Sequence, residues 1–503
     1  MKHYFSAFCF CFLYAAGYPQ RAAVDGGGFI IHKFAQPIGK ESYSVHKDRE
    51  GLVYLIDFHY IDRGSPVKLK DSIRFDLQGE PLAYRIHGRT SRFSSVDDSV
   101  VFIGGVAHMK VDDSSYAETL KGMYFPIAGY APATAQMLLI QYWKEHGFPK
   151  KIYTPPFGAV SIIEDGWDTL KDQHKSNFLK RYHITGLIWG NELLWTDNHG
   201  QLVCLITNDA EGDKQEIVFE TFESLLPQFI EKAAKQGMQL FDRGASKLTA
   251  VSHPILAITN TRVIDVVNKR VTHDATILIE QGKIIAIGKS TDLRIPREAF
   301  ILDARGKTVL PGLWDMHAHF EQAEWGPAYL AAGVTTVRDC GNEFDYINAI
   351  KKYIDEDSGI GPHILKAGII DGKGPYALGI IQAGTQEEAI RAVQRYKDNG
   401  FVQIKIYSSV QPGILKVICS EAHRLGLTVT GHIPMGMNLE QAVDSGMDMV
   451  NHVQYVYSIL KKNKQTGDVD FSDSANRAVM TFLRDHRVVI DPCLLYTSPS
   501  PRD

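Results

Sequence analysis

The spacing of apolar positions changes character along this chain, and each change predicts a different kind of element. In GLVYLIDFHYID at 51–62 and SIRFDLQGEPLAYRIHG at 72–88, apolar and polar residues alternate. That period predicts antiparallel strands with one buried face, joined by polar turns. LLWTDNHGQLVCLITND at 193–209 continues the pattern around a hairpin turn at 198–200, which makes His199 a turn residue. TFESLLPQFIEKAAKQGMQLFD at 221–242 moves to helical spacing and predicts one amphipathic helix closing the segment.

Beyond residue 311 short apolar runs alternate with helical stretches. Predicted strands are the run VLPGLWDMHAHF ending in His317 and His319, then VTTVRDCG, HILKAGIIDG, FVQIKIYSS, LTVTGHIP, MDMVNHVQY and VVIDP, in that order. Between them, TQEEAIRAVQRYKDNG carries acidic residues in its first turn and Gly400 at its end, as helix-dipole and C-cap rules favour. QPGILKVICSEAHRLG, NLEQAVDSG and SANRAVMTFLRDHR predict further helices. Such alternation specifies a parallel barrel or a doubly wound sheet.

Chemistry gathers at the ends of these strands. His317 and His319 are one residue apart, so in a strand both imidazoles point to one face and suit a shared metal ion. The same spacing also suits two packed or solvated histidines. Lys405, His432 and His452 each stand near the C-terminal end of another apolar run. Polar residues at strand ends favour the barrel, whose chemistry collects at that face.

The ordered set ILAITNTRVIDVVNKRVTHDATILIEQGKIIAIG, ARGKTVLPGLWDMHAHF, AAGVTTVRDCGN, IKIYSS and TGHIP resembles the amidohydrolase superfamily of metal-dependent hydrolases, closest in form to its Xaa-Pro dipeptidase and imidazolonepropionase-like branch. The resemblance runs from about residue 255 to about residue 492, roughly half the chain. It implies a (β/α)8 TIM-type barrel beside a small β-sandwich region. It also implies two divalent ions, zinc by default with manganese, cobalt or iron as alternatives, held by His317, His319, His432 and His452. Lys405 would join them as a carbamate formed from its neutral amine. The implied reaction is attack of a metal-bound hydroxide on an amide bond of a small substrate such as a dipeptide or N-acyl amino acid. Tyr407, on the same face as Lys405, is a candidate substrate contact. Asp315 and Asp339 serve equally well as histidine-orienting partners or as caps, and His363 and His423 receive no role.

Length then modifies the expectation. A complete barrel takes about 250 residues, but only about 180 separate Pro311 from Pro492. Strand eight, with the aspartate that moves the proton to the leaving amine in the family, is therefore expected to be missing, and Asp491 on strand seven reads as a poor substitute. CLLYTSPSPRD at 493–503 resembles a translated sequencing-library adapter and is expected to be non-native. As written, the chain is expected to be an inactive fragment of an active enzyme.

The expected organisation is a signal peptide at 1–23, a mostly β domain of unassigned role at 24–250, a small β region at 251–310, and the incomplete barrel at 311–492. The signal reading rests on a short positive start, an apolar stretch and small residues at 15–17; it predicts a secreted or periplasmic protein. Cys204, Cys340 and Cys419 lack paired spacing and read as buried free thiols. A net charge of -4 without a basic run excludes an electrostatic footprint for nucleic acid, and no transmembrane helix is expected after signal removal. The partner expected is a small-molecule substrate. A non-catalytic exported binding protein on a degenerate barrel is the alternative.

Overall fold

The computed structural model describes residues 25–172, 175–245, 253–356, 359–378 and 381–492. The expected signal segment at 1–23 and the tail at 493–503 lie outside the described residues.

The alternating N-terminal segment folds as a 14-stranded antiparallel sheet. One meander runs from Asp25–Lys33 to Ser114–Thr119, and a second returns from Ile152–Tyr153 to Lys214–Phe219. The first and last of these strands pair, Phe29 opposite Phe219, which joins the two meanders into one sheet. Between them in sequence lies the helix Ala133–Glu145, nearly all of it buried and packed with strand residues of both meanders. The carboxylate of Glu41 caps this helix, accepting from the Ala133 and Thr134 amides at 2.8 and 2.7 Å, in place of a cap from the chain just before it. The hairpin at 198–200 forms as expected between Asn191–Thr196 and Leu202–Asn208. The closing helix is a correction to the sequence reading: a 3-10 turn, Glu220–Leu225, precedes an α-helix, Leu226–Ala245, where Pro227 in the first turn removes a backbone donor.

A second, five-stranded mixed sheet follows, built on Ile255–Asp265 and Arg270–Glu280. The parallel strands then come in chain order: Leu313–Ala318 (β1), Val334–Asp339 (β2), His363–Asp371 (β3), Gln403–Ile406 (β4), Thr428–Gly431 (β5), Met449–Asn451 (β6) and Val489–Asp491 (β7). β1 to β5 form one parallel sheet in sequence order, and β6 pairs with β7 in parallel. Helices alternate with them, the clearest being Gln386–Asp398, where Thr385 and Glu388 form a reciprocal capping box. The helix Phe344–Glu356 after β2 was not foreseen.

The three cysteines of the described residues are free and buried. Among the described residues no helix is long and apolar enough to cross a membrane.

Candidate metal centre

The ends of β1, β4, β5 and β6 deliver functional side chains to the same place. Ring centroids run in an arc from His319 to His317 at 5.5 Å, His317 to His452 at 4.9 Å, His452 to His432 at 4.9 Å, and His432 to Tyr407 at 4.6 Å. Lys405, on β4, is fully buried; its Nζ donates to Asn451 Oδ1 at 2.7 Å and lies 5.6 Å from the Tyr407 ring centroid. The structure thus brings together all six residues singled out from the sequence.

Backbone shape accounts for part of this convergence. Gly341 has φ of 144°, and a Cβ there would lie 2.0 Å from Ile369 Cδ1, so only glycine fits. Its carbonyl accepts a hydrogen bond from His319 Nδ1 at 2.9 Å. Because a carbonyl only accepts, that contact places the proton on Nδ1 and leaves the Nε2 lone pair free. Asp339 ties the loops after β1 and β2 together, accepting from the Phe320 and Gly341 amides at 2.7 and 3.1 Å. Asp315 likewise accepts from the His317 amide at 3.0 Å. Both aspartates therefore brace backbone and touch no imidazole nitrogen through these bonds.

His317 is set by a carboxylate. Its Nδ1 lies 2.8 Å from Asp491 Oδ2, an oxygen that also accepts from Arg338 Nη2 and Asn451 Nδ2, each at 2.6 Å. Burial pushes the Asp491 carboxyl up, but the bonds from His317 and the Arg338 charge outweigh it and hold the pKa below the usual carboxylate value. An ionised acceptor fixes the His317 proton on Nδ1 and leaves Nε2 free. Asp491 is the residue that sequence reasoning undervalued. It reaches the site because β7 pairs with β6, and its backbone carbonyl also accepts from the His452 amide at 2.7 Å. His452 itself has φ of 72°, a left-handed conformation uncommon for a residue with a Cβ.

The electrostatics keep His317, His432 and His452 neutral. Burial lowers His317 to about 4 and His452 to about 3, with the nearby Lys405 adding in the same direction; His432 falls well below its ordinary value for the same two reasons. His432 Nε2 and His452 Nε2 face each other at 3.0 Å. Two neutral imidazoles at that distance share one proton contact or present their lone pairs to a cation between them. The donor set fits a divalent ion on this chemistry, since neutral imidazole is the ligating form. Cys340 also puts its sulfur within 4.8 Å of donor atoms of His317 and Asp491, though burial raises its thiol to about 11.

No family model matches the chain. An enamidase from Eubacterium barkeri is 37% identical over 76 residues, covering 13% of this chain and 20% of the relative. An imidazolonepropionase from Geobacillus sp. is 38% identical over 91 residues, covering 17% and 20%. An adenine deaminase from Clostridium perfringens is 41% identical over 66 residues, covering 12% and 11%. The match spans one fifth or less of the length of these relatives. Among solved structures, a Xaa-Pro dipeptidase with methionine bound in its active site is 21% identical, with 47% of this chain and 66% of that chain covered and a TM-score of 0.38.

Proposed function

We propose that this chain is a metal-dependent hydrolase of the amidohydrolase superfamily, acting on C–N bonds in small substrates such as dipeptides or N-acyl amino acids. The observation that carries the reading is the arc of four histidines, three of them kept neutral by burial, beside buried Lys405. In this reading His317 and His319 would hold one divalent ion and His432 and His452 a second, and Lys405, once its neutral amine had taken up carbon dioxide and lost a proton to become a carbamate, would join them as an anionic ligand. Zinc is the default, and manganese, cobalt or iron suit the same donors. Such ions supply a lowered pKa for water and polarisation of the carbonyl under attack.

The chain's own residues prepare the site. Gly341 and Asp491 fix the tautomers of His319 and His317, Arg338 keeps Asp491 ionised, and Asn451 links Asp491 to Lys405. Asp491 is engaged by three donors on one oxygen, so its part is to position His317, and the proton step to the leaving group is not assigned to it. Tyr407, beside His432, lines the same cup as a substrate contact.

The architecture proposed for this function makes β1 to β7 strands of a (β/α)8 barrel at 311–492. A small β region at 251–310 and an N-terminal β domain at 24–250 precede it. Export, directed by 1–23, places the enzyme in the periplasm or outside the cell. Elemental analysis of the purified chain, with turnover of a dipeptide and N-acyl amino acid panel, tests the proposal. Close to two equivalents of divalent metal are expected, with a clear loss in Lys405→Ala. Folded protein that takes up no metal and turns over nothing sinks the hydrolase reading and favours a binding protein.

A further inference from the structure

The 14-stranded sheet is placed where it can do more than cover the parallel strands. Its turns meet the strand-end face at several points. Phe34, in the first hairpin turn, packs with Ile369, Leu378 and Tyr407. Gly64, in the turn between Leu52–Asp62 and Ser65–Phe75, lies so close to Tyr376 that a Cβ would come within 2.4 Å of its ring. Lys214, directly after the turn at 209–213, donates through Nζ to the Glu321 carbonyl, while the Glu321 amide donates to the His319 carbonyl at 2.9 Å. These turns therefore stand over the loops that follow β1, β3 and β4, beside the histidine arc.

Arg63 occupies the tip of the second of these turns, with φ of 50°. Its Nε and Nη2 donate to the two oxygens of Asp62 at 2.8 and 2.9 Å, and Nη2 also reaches Asp213 at 2.7 Å. Lys33 bonds Asp62, Asp209 and Asp213 from the other side at 2.7 to 2.9 Å, so the acids that hold Arg63 are themselves held in place. Two edges of the guanidinium are thereby fixed. Nη1 donates to no described residue, and the side chain keeps 20% exposure. The guanidinium charge also reaches Asp371 at the end of β3, whose Oδ1 accepts from the Ser409 amide in the loop after β4 at 2.9 Å.

The geometry points to Arg63 as a specificity-determining residue, contributed by the N-terminal sheet, that receives a carboxylate of the substrate on its free Nη1 edge. This assignment deepens the hydrolase reading and rests on it for the word substrate. A held, planar guanidinium binds a carboxylate with little further loss of side-chain freedom, which a flexible lysine does not. The favoured substrates are then amides whose acidic end carries a free carboxylate, and the same molecules with that end amidated lose the contact.

The test pairs an N-acyl amino acid with its carboxamide, using the metal-loaded full chain and the variants Arg63→Gln and Arg63→Lys. In Arg63→Gln the KM for the carboxylate substrate is expected to rise about 10-fold to 100-fold, the usual worth of a charge-assisted bond, with kcat little changed and the carboxamide unaffected. Arg63→Lys, which keeps the charge among Asp62 and Asp213, is expected to fall between. Equal KM changes for both substrates, or none for either, overturn the assignment. Calorimetric binding of the same two ligands separates it from the hydrolase reading. Binding that needs Arg63 and a carboxylate in a protein without turnover keeps the Arg63 site and sinks the hydrolase. Turnover without carboxylate preference does the reverse, and absence of both sinks both.

Discussion

Asp491→Ala removes the one oxygen on which His317, Arg338 and Asn451 converge, and its consequences separate into two measurable parts. Arg338 is 4% exposed and Asp491 7%, so the substitution leaves a buried guanidinium without its anion. Breaking a buried pair from one side costs about 3–5 kcal/mol, because the remaining charge stays desolvated. The second part concerns metal. Loss of a carboxylate that orients a ligating histidine weakens metal affinity about 10-fold to 100-fold, or about 1.4–2.7 kcal/mol. Urea denaturation of metal-free protein reads the first part, and titration against a competing chelator reads the second. Adding Arg338→Met to Asp491→Ala should recover most of the stability and none of the metal affinity, since the apolar side chain removes the stranded charge but leaves His317 unoriented. The acid limb adds a check of sign. The lowered Asp491 pKa contributes stability that is present above the ordinary carboxylate range and lost as pH falls through the lowered value, so the variant's acid limb should be shallower. Metal affinity within twofold of the parent in Asp491→Ala, or its restoration in the double variant, would refute the positioning argument.

Two further outcomes follow from buried charge in the N-terminal sheet. Glu192 accepts from Gln136 and Thr207 at 2.7 and 2.8 Å through Oε1, its Oε2 has no partner among the described residues, and burial raises its pKa from 4.5 to about 7. Its contribution is therefore full below 4.5 and lost as pH rises through 7; Glu192→Gln should stabilise by about 3 kcal/mol at pH 8.5 and by nearly nothing at pH 4, read by urea denaturation. Lys33→Met leaves Asp209 without its cation and Asp62 and Asp213 to Arg63, and should lower the midpoint of unfolding by the equivalent of about 3–5 kcal/mol at pH 7, with a smaller loss in acid; an unchanged midpoint would show that the ammonium is not what holds the three together.

How far the chain could be read in advance depended on whether a feature is written locally. The parallel strands were legible because each is a short apolar run followed by polar residues, and their order in the sheet repeats their order in sequence. The histidine arc was legible for the same reason: His317, His319, His432 and His452 each stand at or just past a strand end. The helix Ala133–Glu145 was missed because it is buried nearly all round, which removes the amphipathic contrast that marks a surface helix. Pairing of the first strand of the large sheet with its last was equally invisible, since no local pattern records a partner nearly 190 residues away. Arg63 sat in a polar hairpin turn of a commonplace kind, and only the docking of that turn against Tyr376 gives it a position near the cup.

Asp491 is the instructive case, because a signal for it existed. Arg338 lies inside the apolar run VTTVRDC, where a charge is out of place unless something compensates it. Arginine is almost never fully buried unpaired, so a strand-interior arginine announces a carboxylate on a neighbouring element. The candidates were the strand-end aspartates, and Asp339 and Asp371 spend their oxygens on the backbone amides of their own loops. Asp491, at the end of β7, is the one whose oxygen meets Arg338, and once there it lies beside His317. A buried arginine thus points to the group that orients a metal-binding imidazole, and strand order alone decides which carboxylate that is.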